Sequence, residues 1–389
     1  MAADKKIIIY GGAFDPPHEG HFALIRAAAE QLKPEVLYVV PCFRSPFKDS
    51  PAAPYRDRAA MLKDGLKACG LVKKRGGARV AVHPFEFRRG QVTYTWQTVR
   101  FFKKLHPGAQ LYFLLGSDCL GAFRKWKHYR RILADAVLLA GRRPGFALKR
   151  TAGTPFAPLN GRFPLIASNA LKAELFPGLR PAGLLPSTWS YINRKGLYLG
   201  ALRRRLEKIL PPRRFAHSLA VAALAAELAL KHGADPLRAA LAGLLHDAAR
   251  DMPPRSLVRF ALRRRLRAPR LRETILKAPV LLHAAAGAAL AAEKFGVRDR
   301  AVLDAIRQHT LGARNPGLLS KIIYVADLGA CGRDFPEAAE VAALARRDLD
   351  AAYRRANYVK LIYASGADGW RHPETAKVWH SLQAREKNK

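Results

Sequence analysis

The first 200 residues alternate short apolar runs with amphipathic segments. Apolar, β-prone runs cover 6–10, 36–40, 79–83, 111–115 and 136–140, with a sixth candidate at 163–166. Between them, apolar positions recur at helical spacing over 18–32, 56–69, 93–105, 127–134 and 169–175. This alternation predicts a Rossmann-like α/β domain, a parallel sheet covered by helices on both faces. Ligands in such a sheet sit at the carboxyl ends of the strands. From about residue 201 the strand signals fade and long Ala/Leu/Arg helical periodicities replace them. An all-α domain is therefore expected over 201–389, with its core at about 205–355 and a basic, polar, frayed tail after Trp379. The boundary is placed near 200–213, after Gly196-Leu197-Tyr198 closes the first unit.

The carboxyl end of the first run carries Gly11-Gly12-Ala13-Phe14-Asp15-Pro16-Pro17-His18-Glu19-Gly20-His21. Two glycines allow close backbone approach to a ligand. His18 and His21, three apart, share one face of the first helical turn. A helix start offers unpaired N–H groups and a positive pole, which suits phosphate. Gly116-Ser117-Asp118 follows another run in the same way.

Composition changes this picture little. The chain has 389 residues, and 68 basic against 30 acidic residues give a net charge of +38. The basic residues are spread along the whole chain, so we read them as a solvated surface, and nucleic acid is not expected as a partner. The arginine-dense stretch 255–272 is read likewise, as a helix with a solvated basic face. No apolar run is long enough to span a bilayer, and no membrane association is expected. The start of the chain leads directly into a strand without a signal peptide, and four scattered cysteines suggest no disulfide framework. A cytoplasmic location is the expectation.

Together these N-terminal residues resemble the nucleotidyltransferase superfamily marked by a HxGH signature, and more narrowly the bacterial nicotinate-mononucleotide adenylyltransferases. Gly11 to Pro16 with His18-Glu19-Gly20-His21 matches the phosphate turn. Pro41 through Lys48 matches a Pro-rich loop, with Phe47 where the family has histidine. Arg58 and Met61, then Glu86, Arg89, Gly90 and Tyr94-Thr95, match further motifs. So do Leu114-Leu115-Gly116-Ser117-Asp118, Trp126, and the closing Leu185-Pro186, Tyr191-Ile192 and Gly196-Leu197-Tyr198. One motif departs: Ile166-Ala167-Ser168-Asn169-Ala170-Leu171-Lys172 ends in lysine where the family has arginine, which removes the bidentate fork. The resemblance implies attack of a mononucleotide 5′-phosphate on the α-phosphorus of ATP, with Mg²⁺ accompanying ATP. It implies that Gly11, Gly12, Ala13, Phe14, His18, His21, Gly116, Asp118, Ser168, Asn169 and Lys172 hold ATP. Asp15, Lys48, Tyr94, Thr95 and Trp126 would meet the acceptor, Trp126 by stacking on its pyridine ring. Catalysis would be alignment and charge stabilisation by His18, His21, Lys48 and Lys172.

The helical half carries His217, His246-Asp247, His283, His309 and Asp327 inside apolar helical patterns. Such groups are costly to bury unless paired or metal-bound. Four of the chain's 12 histidines in this pattern, with two aspartates, point to a metal site. Their order resembles the HD-domain metal phosphohydrolases. Ala326-Asp327 with Gly332-Arg333-Asp334-Phe335-Pro336 narrows this to the family that cleaves diadenosine tetraphosphate symmetrically to two ADP. By that resemblance His217, His246, Asp247 and Asp327 hold one divalent metal, and His283 and His309 a second, with Asp247 bridging. Iron is favoured by the resemblance, and imidazole and carboxylate ligands also suit manganese, cobalt or zinc. Such ions would lower the pKa of a bound water and polarise the phosphate. Arg250, Arg314 and Arg333 are candidates for the substrate's phosphates. Arg250 stands where the family has lysine, and Ala330 where it has glutamate.

The expectation is a bifunctional enzyme acting on ATP, nicotinate mononucleotide and diadenosine tetraphosphate, with homo-oligomer formation left open. Three rivals remain. The acceptor could be nicotinamide mononucleotide or phosphopantetheine, the HD half could act on another nucleotide or be only regulatory, or the basic surface could bind RNA.

Overall fold

The computed structural model describes residues 5–43, 52–72, 78–146, 154–175, 178–330, 336–363 and 370–387. The chain divides into two compact units. One comprises residues 1–171 and 180–198, the other 172–179 and 199–389. The short stretch Lys172–Leu179 thus clusters with the helical unit, whereas the sequence assigns it to the α/β domain.

The first unit is built on strands β1 (Lys6–Gly12), β2 (Val36–Pro41), β3 (Arg79–Val82), β4 (Gln110–Gly116), β5 (Val137–Gly141) and β6 (Phe156–Leu159). They form one sheet in the order β3-β2-β1-β4-β5-β6, with every neighbouring pair parallel. The helices are α1 (Glu19–Leu32), α2 (Tyr55–Ala68), α3 (Phe85–Arg89), α4 (Thr95–Leu105), α5 (Ser117–Leu120), α6 (Tyr129–Asp135), α7 (Ser168–Leu175) and α8 (Pro186–Lys195). Ile7, Ile8 and Ile9 are all fully buried, because successive side chains of β1 point into two different cores. Ile7 and Ile9 pack with Val99 and Phe102 of α4 and Ile132 of α6. Ile8 and Tyr10 pack with Phe22 and Ile25 of α1 and Leu62 of α2. The strand order reverses between β1 and β4, so the crevice at their carboxyl ends lies at Gly12 and Gly116.

The sixth strand is not the expected 163–166. Residues 156–159 pair with β5 instead. Pro158 lies in that strand and cannot donate to a ladder, which weakens its sequence signal yet suits an edge position. Phe163 buries its ring in the core without joining the sheet, while Leu165 is 65% exposed.

The second unit is helical: α9 (Gly200–Ile209), α10 (Pro212–Lys231), α11 (Pro236–Leu245), α12 (Pro254–Arg263), α13 (Leu271–Lys277), α14 (His283–Phe295), α15 (Arg300–Gln308), α16 (Leu318–Gly329), α17 (Pro336–Ala345), α18 (Leu349–Tyr363) and α19 (Pro373–Lys387). Helix α19 continues to Lys387, past the point after Trp379 where a frayed tail is expected, because Val378 and Leu382 are buried in the core. Two aspartates start helices as the sequence demands. Asp235 accepts from the N–H groups of Leu237 and Arg238 at 2.8 and 3.0 Å. Asp299 does the same for Ala301 and Val302. On α12, Leu257 and Ala261 face the core while Arg255, Arg259 and Arg263 are exposed.

Alanine-rich faces let these helices approach closely. At Gly243 of α11 a Cβ would lie 2.7 Å from the Cα of Ala222 on α10, a clash with backbone that cannot swing away. Gly243→Ala should therefore lower the unfolding free energy of the helical unit by about 1–3 kcal/mol. Urea unfolding followed by circular dichroism measures this, and an unchanged midpoint would show that the helices spread without cost.

Candidate functional sites

At the carboxyl end of β1, His18 is the N-cap of α1 in extended backbone. Its main-chain N–H donates to Nδ1 of His21 at 3.2 Å. A ring nitrogen that accepts is unprotonated, so the neutral His21 carries its proton on Nε2. The two imidazoles stack with centroids 3.6 Å apart. Phe14 packs edge-on against His21 at 4.9 Å and against Tyr10 at 5.2 Å. Phe14 sits at φ 51°, a left-handed conformation that is costly for a bulky side chain and is held here by those rings. Burial, with Arg143 adding to it, lowers His18 to about 3. Burial, the adjacent His18 and Arg143 together hold His21 well below its ordinary value. Both rings are therefore neutral at physiological pH and offer hydrogen bonds, not charge.

The charge comes from Arg143, just beyond β5, which the sequence analysis did not single out. Its Nη1 meets Asp118 Oδ2 at 3.1 Å, and its main-chain N–H donates to Ser117 Oγ at 2.9 Å. At Gly116 a Cβ would lie 2.3 Å from Asp118 Oδ1 and 3.1 Å from Arg143 Nε, so a larger residue would displace this ion pair. Among the described residues, Arg143 Nε and His18 Nδ1 are buried without a hydrogen-bond partner. Two such atoms at one end of the sheet suit an anion. A basic residue directly after a strand was the available signal.

Other expected residues fall in several places. Ser168, at the start of α7, donates to the carbonyl of Pro16 at 3.0 Å and so stands beside the phosphate turn. Asn169 is exposed, and Lys172 belongs to the segment that clusters with the helical unit. The Asp15 carboxylate accepts from the N–H groups of Ala52 and Ala53 at 2.8 and 3.1 Å and from the Tyr198 hydroxyl at 2.7 Å. These bonds tether the turn. Buried Arg58 braces the same region, donating to the carbonyls of Ala13, Cys42 and Ala53. Tyr94 caps α4 and Thr95 is its first residue, both half-buried. Half-buried Trp126 leans on the edges of Phe113 and Phe123 at 6.1 and 5.2 Å. Phe47, Lys48 and Arg333 lie outside the described residues.

In the helical unit five helices bring the second group together. His217 comes from α10, Asp327 from α16, and His246, Asp247, His283 and His309 from the ends of α11, α14 and α15. Asp247 stands at the centre. Its Oδ2 is 3.5 Å from His246 Nε2 and 3.9 Å from His217 Nε2. Its Oδ1 is 3.3 and 3.4 Å from Nε2 of His283 and His309. Asp327 Oδ1 lies 3.3 Å from His217 Nε2 and 3.5 Å from His246 Nε2. Nδ1 of His246, His283 and His309 each donates to the carbonyl three residues earlier, at 2.6–2.7 Å. A carbonyl only accepts, so these nitrogens carry the proton and each Nε2 presents a lone pair.

Burial opposes a charge on His246, but Asp247 and Asp327 outweigh it and raise its pKa. Burial opposes the charge on Asp247, but His246, His283 and His309 outweigh it and hold the carboxyl well below its usual range. Lys360, His217 and His246 do the same for Asp327. Burial pushes His309 down to about 4. Two triads, His217/His246/Asp247 and Asp247/His283/His309, have ligand atoms close enough for one ion each. The donor set therefore fits two divalent cations that share Asp247.

Two comparisons of sequence agree with these two centres. The cytidylyltransferase-like family matches residues 9–174 and the HD domain family residues 214–328. A Mycoplasma genitalium protein named "probable nicotinate-nucleotide adenylyltransferase/Ap4A hydrolase" is 31% identical over 83% of this chain and 87% of its own. A Mycoplasma pneumoniae protein of the same name is 30% identical over 89% and 96%. The chain belongs to this family of adenylyltransferase–HD hydrolase fusion enzymes. The solved structure of an HD superfamily hydrolase involved in NAD metabolism, from Clostridium acetobutylicum, is 32% identical and covers 48% of this chain and 97% of its own, with a TM-score of 0.45. Membership of the HD family implies divalent-metal binding in the second unit. No helix among the described residues is long and apolar enough to cross a membrane.

Two cations at the HD centre were not singled out from sequence. Arg214 Nη1 lies 2.5 Å from Asp247 Oδ2, and Asp251 grips the same guanidinium through Nε and Nη2 at 3.2 Å each. Lys360 of α18 donates to Asp327 Oδ2 at 2.9 Å and to the His309 carbonyl at 2.7 Å, and lies 4.0 Å above the Tyr324 ring. Lys360 is 33 residues from Asp327 and 51 from His309, on a different helix from either, so spacing carries no trace of it. Arg250 is half-buried, and Arg314 is exposed with Nε 3.7 Å from Glu374.

Two outcomes follow. Lys360→Met strands a buried carboxylate and should destabilise the metal-free protein by about 3 kcal/mol. A divalent cation supplies the missing charge, so thermal unfolding should show a smaller loss with Mn²⁺ present. An equal loss with and without the ion would contradict this role. At the first centre, His18 titrates near 3 when folded against 6.5 ordinarily. The folded state then binds fewer protons, so this stability is whole above pH 6.5 and is lost as pH falls. At pH 5 the loss from His18 alone is about 2 kcal/mol. His18→Gln should flatten the stability profile between pH 6.5 and 5 in ligand-free protein, and an unchanged slope would refute the assignment.

Proposed function

We propose that the α/β unit transfers the adenylyl group of ATP to nicotinate mononucleotide, giving nicotinate adenine dinucleotide and pyrophosphate. The observation that carries this is the pair His18 and His21 at the start of α1, beside the half-buried Arg143. ATP enters as its Mg²⁺ complex. The Nε2–H of His21 is placed to donate to a phosphate oxygen, and Arg143 with the α1 N-terminus offsets the charge that builds up. The acceptor's 5′-phosphate oxygen attacks the α-phosphorus, and the bond to the bridging oxygen breaks as pyrophosphate leaves. No covalent enzyme intermediate is needed, so alignment and charge suffice. Trp126 and Thr95 are the residues assigned to the pyridine ring and its carboxylate. The names of the Mycoplasma relatives support this acceptor.

The helical unit, in the same reading, hydrolyses diadenosine tetraphosphate to two ADP. Asp247, with its two oxygens turned to two separate histidine pairs, carries this assignment. His217, His246, Asp247 and Asp327 would hold one divalent cation and Asp247, His283 and His309 another, with iron, manganese, cobalt and zinc all suited. Bound there, such ions supply Lewis acidity toward a phosphate chain. Arg214 is held by Asp251 where it can meet a substrate phosphate. Water adds to one central phosphorus and the bridging oxygen departs with the other.

A pair of substitutions tests the reading. His21→Ala should reduce adenylyl transfer by at least a hundredfold and spare hydrolysis, and Asp247→Ala should do the reverse. Rates with nicotinate mononucleotide, nicotinamide mononucleotide and phosphopantetheine identify the acceptor, and a preference for either of the last two would overturn the assignment. Metal analysis beside the hydrolysis assay does the same for the HD centre. A metal-free, inactive unit would make it a regulatory module.

A further inference from the structure

Away from both centres, α18 and α19 flank an open cleft of about 330 Å³ lined by Arg354, Arg355, Tyr358, Trp379 and Gln383. Arg354 and Tyr358 are four apart on α18, and Trp379 and Gln383 four apart on α19, so each helix contributes one face. The Tyr358 and Trp379 rings stand 5.2 Å apart at 43°. Tyr358 is 40% exposed and Trp379 half-buried. Two large aromatic surfaces are thus left accessible in a helix pair whose neighbouring positions, Val378 and Val359, are buried.

The polar lining has one character. Arg355 lies 5.7 Å from the Tyr358 ring centre and is fixed there by Glu340, with two bonds of 3.0 and 2.8 Å. It thereby presents a planar cation beside an aromatic face. Arg354 adds a second guanidinium and Gln383 an amide that can both donate and accept. None of the five lining side chains is a carboxylate. Aromatic planes, guanidinium groups and one amide suit a flat, hydrogen-bonding, anionic ligand. The cleft's size admits one base with its sugar phosphate, at the small end of ordinary ligand pockets.

We propose that this cleft is a nucleotide-binding site, which stacks one purine base on the aromatic pair and meets its phosphate with Arg354. The site is separate from the metal centre. Lys360, which touches Asp327, is two residues from Tyr358 and so points to the other side of α18. The proposal does not depend on the activities assigned above. The same chemistry occurs in a free purine nucleotide and in one base of a single strand. One aromatic corner with room for one base favours the free nucleotide, since strand binding commonly uses a succession of stacking platforms.

Photolabelling of the full chain with 8-azido-AMP, followed by peptide mapping, tests this. We expect label on peptides from 349–387, competed by AMP, and reduced at least tenfold in both Trp379→Ala and Arg354→Glu while both enzymatic activities persist. Arg354→Glu alters a half-exposed side chain, so it remains informative if Trp379→Ala fails to fold. Absence of label from 349–387 in the parent protein, or label that persists in Arg354→Glu, overturns the proposal. Competition by oligoadenylate tenfold better than by AMP overturns the free-nucleotide assignment in favour of a strand.

Discussion

Both centres depend on committing one ring nitrogen of a buried histidine to the main chain. At the phosphate turn a main-chain N–H donates to Nδ1 of His21, which leaves the proton on Nε2. In the helical unit Nδ1 of His246, His283 and His309 donates to main-chain carbonyls, which leaves Nε2 bare. The same residue type is thus prepared as a hydrogen-bond donor in one unit and as a ligand in the other. The difference lies in which main-chain group is at hand. A helix start exposes N–H groups, and the end of a helix exposes carbonyls. His21 lies in the first turn of α1, whereas His246 and His309 follow the last turns of α11 and α15, and His283, though it opens α14, follows the 3-10 turn Pro279–Leu282 whose carbonyl it meets.

Burial makes this selection consequential. Neutral imidazoles are cheap to enclose, and His18 and His21 are held neutral by burial and by Arg143. Carboxylates are costly to enclose, so Asp247 and Asp327 require Arg214, Lys360 and the surrounding imidazoles. Arg214 and Lys360 each lie 33 residues from the carboxylate they meet. Small residues permit the closeness. Gly116 leaves room for Asp118 and Arg143 above the sheet, and Gly243 lets α10 and α11 touch at backbone distance just before His246.

Periodicity and punctuation made most of the fold legible. Five of six strands and helices α1, α2, α4, α6 and α7 follow from alternation of β-type and helical spacing, whereas the short α3 and α5, and α8, are not expected from it. The sixth strand did not follow, because Pro158 obscures it and the apolar run at 163–166 buries only part of itself. Asp15 sits inside a recognisable motif, yet its carboxylate serves Ala52, Ala53 and Tyr198, a role visible only once residues 37 and 183 positions away are beside it. The residues of the HD centre stand out singly, as polar groups in apolar helical patterns, but nothing in their spacing says that Asp247 turns one oxygen to each histidine pair.

The sequence by itself determined the two-part organisation and the helix start at His18, and it marked six polar groups of the helical half inside apolar patterns. These are local matters, set by the period of apolar positions, by glycine and by capping. Only the tertiary structure decided the protonated nitrogen of each ring, the roles of Arg143, Arg214 and Lys360, and the tethering work of Asp15. Those depend on which groups meet across the fold, and hydrogen bonds and ion pairs act over distances that chain separation does not encode.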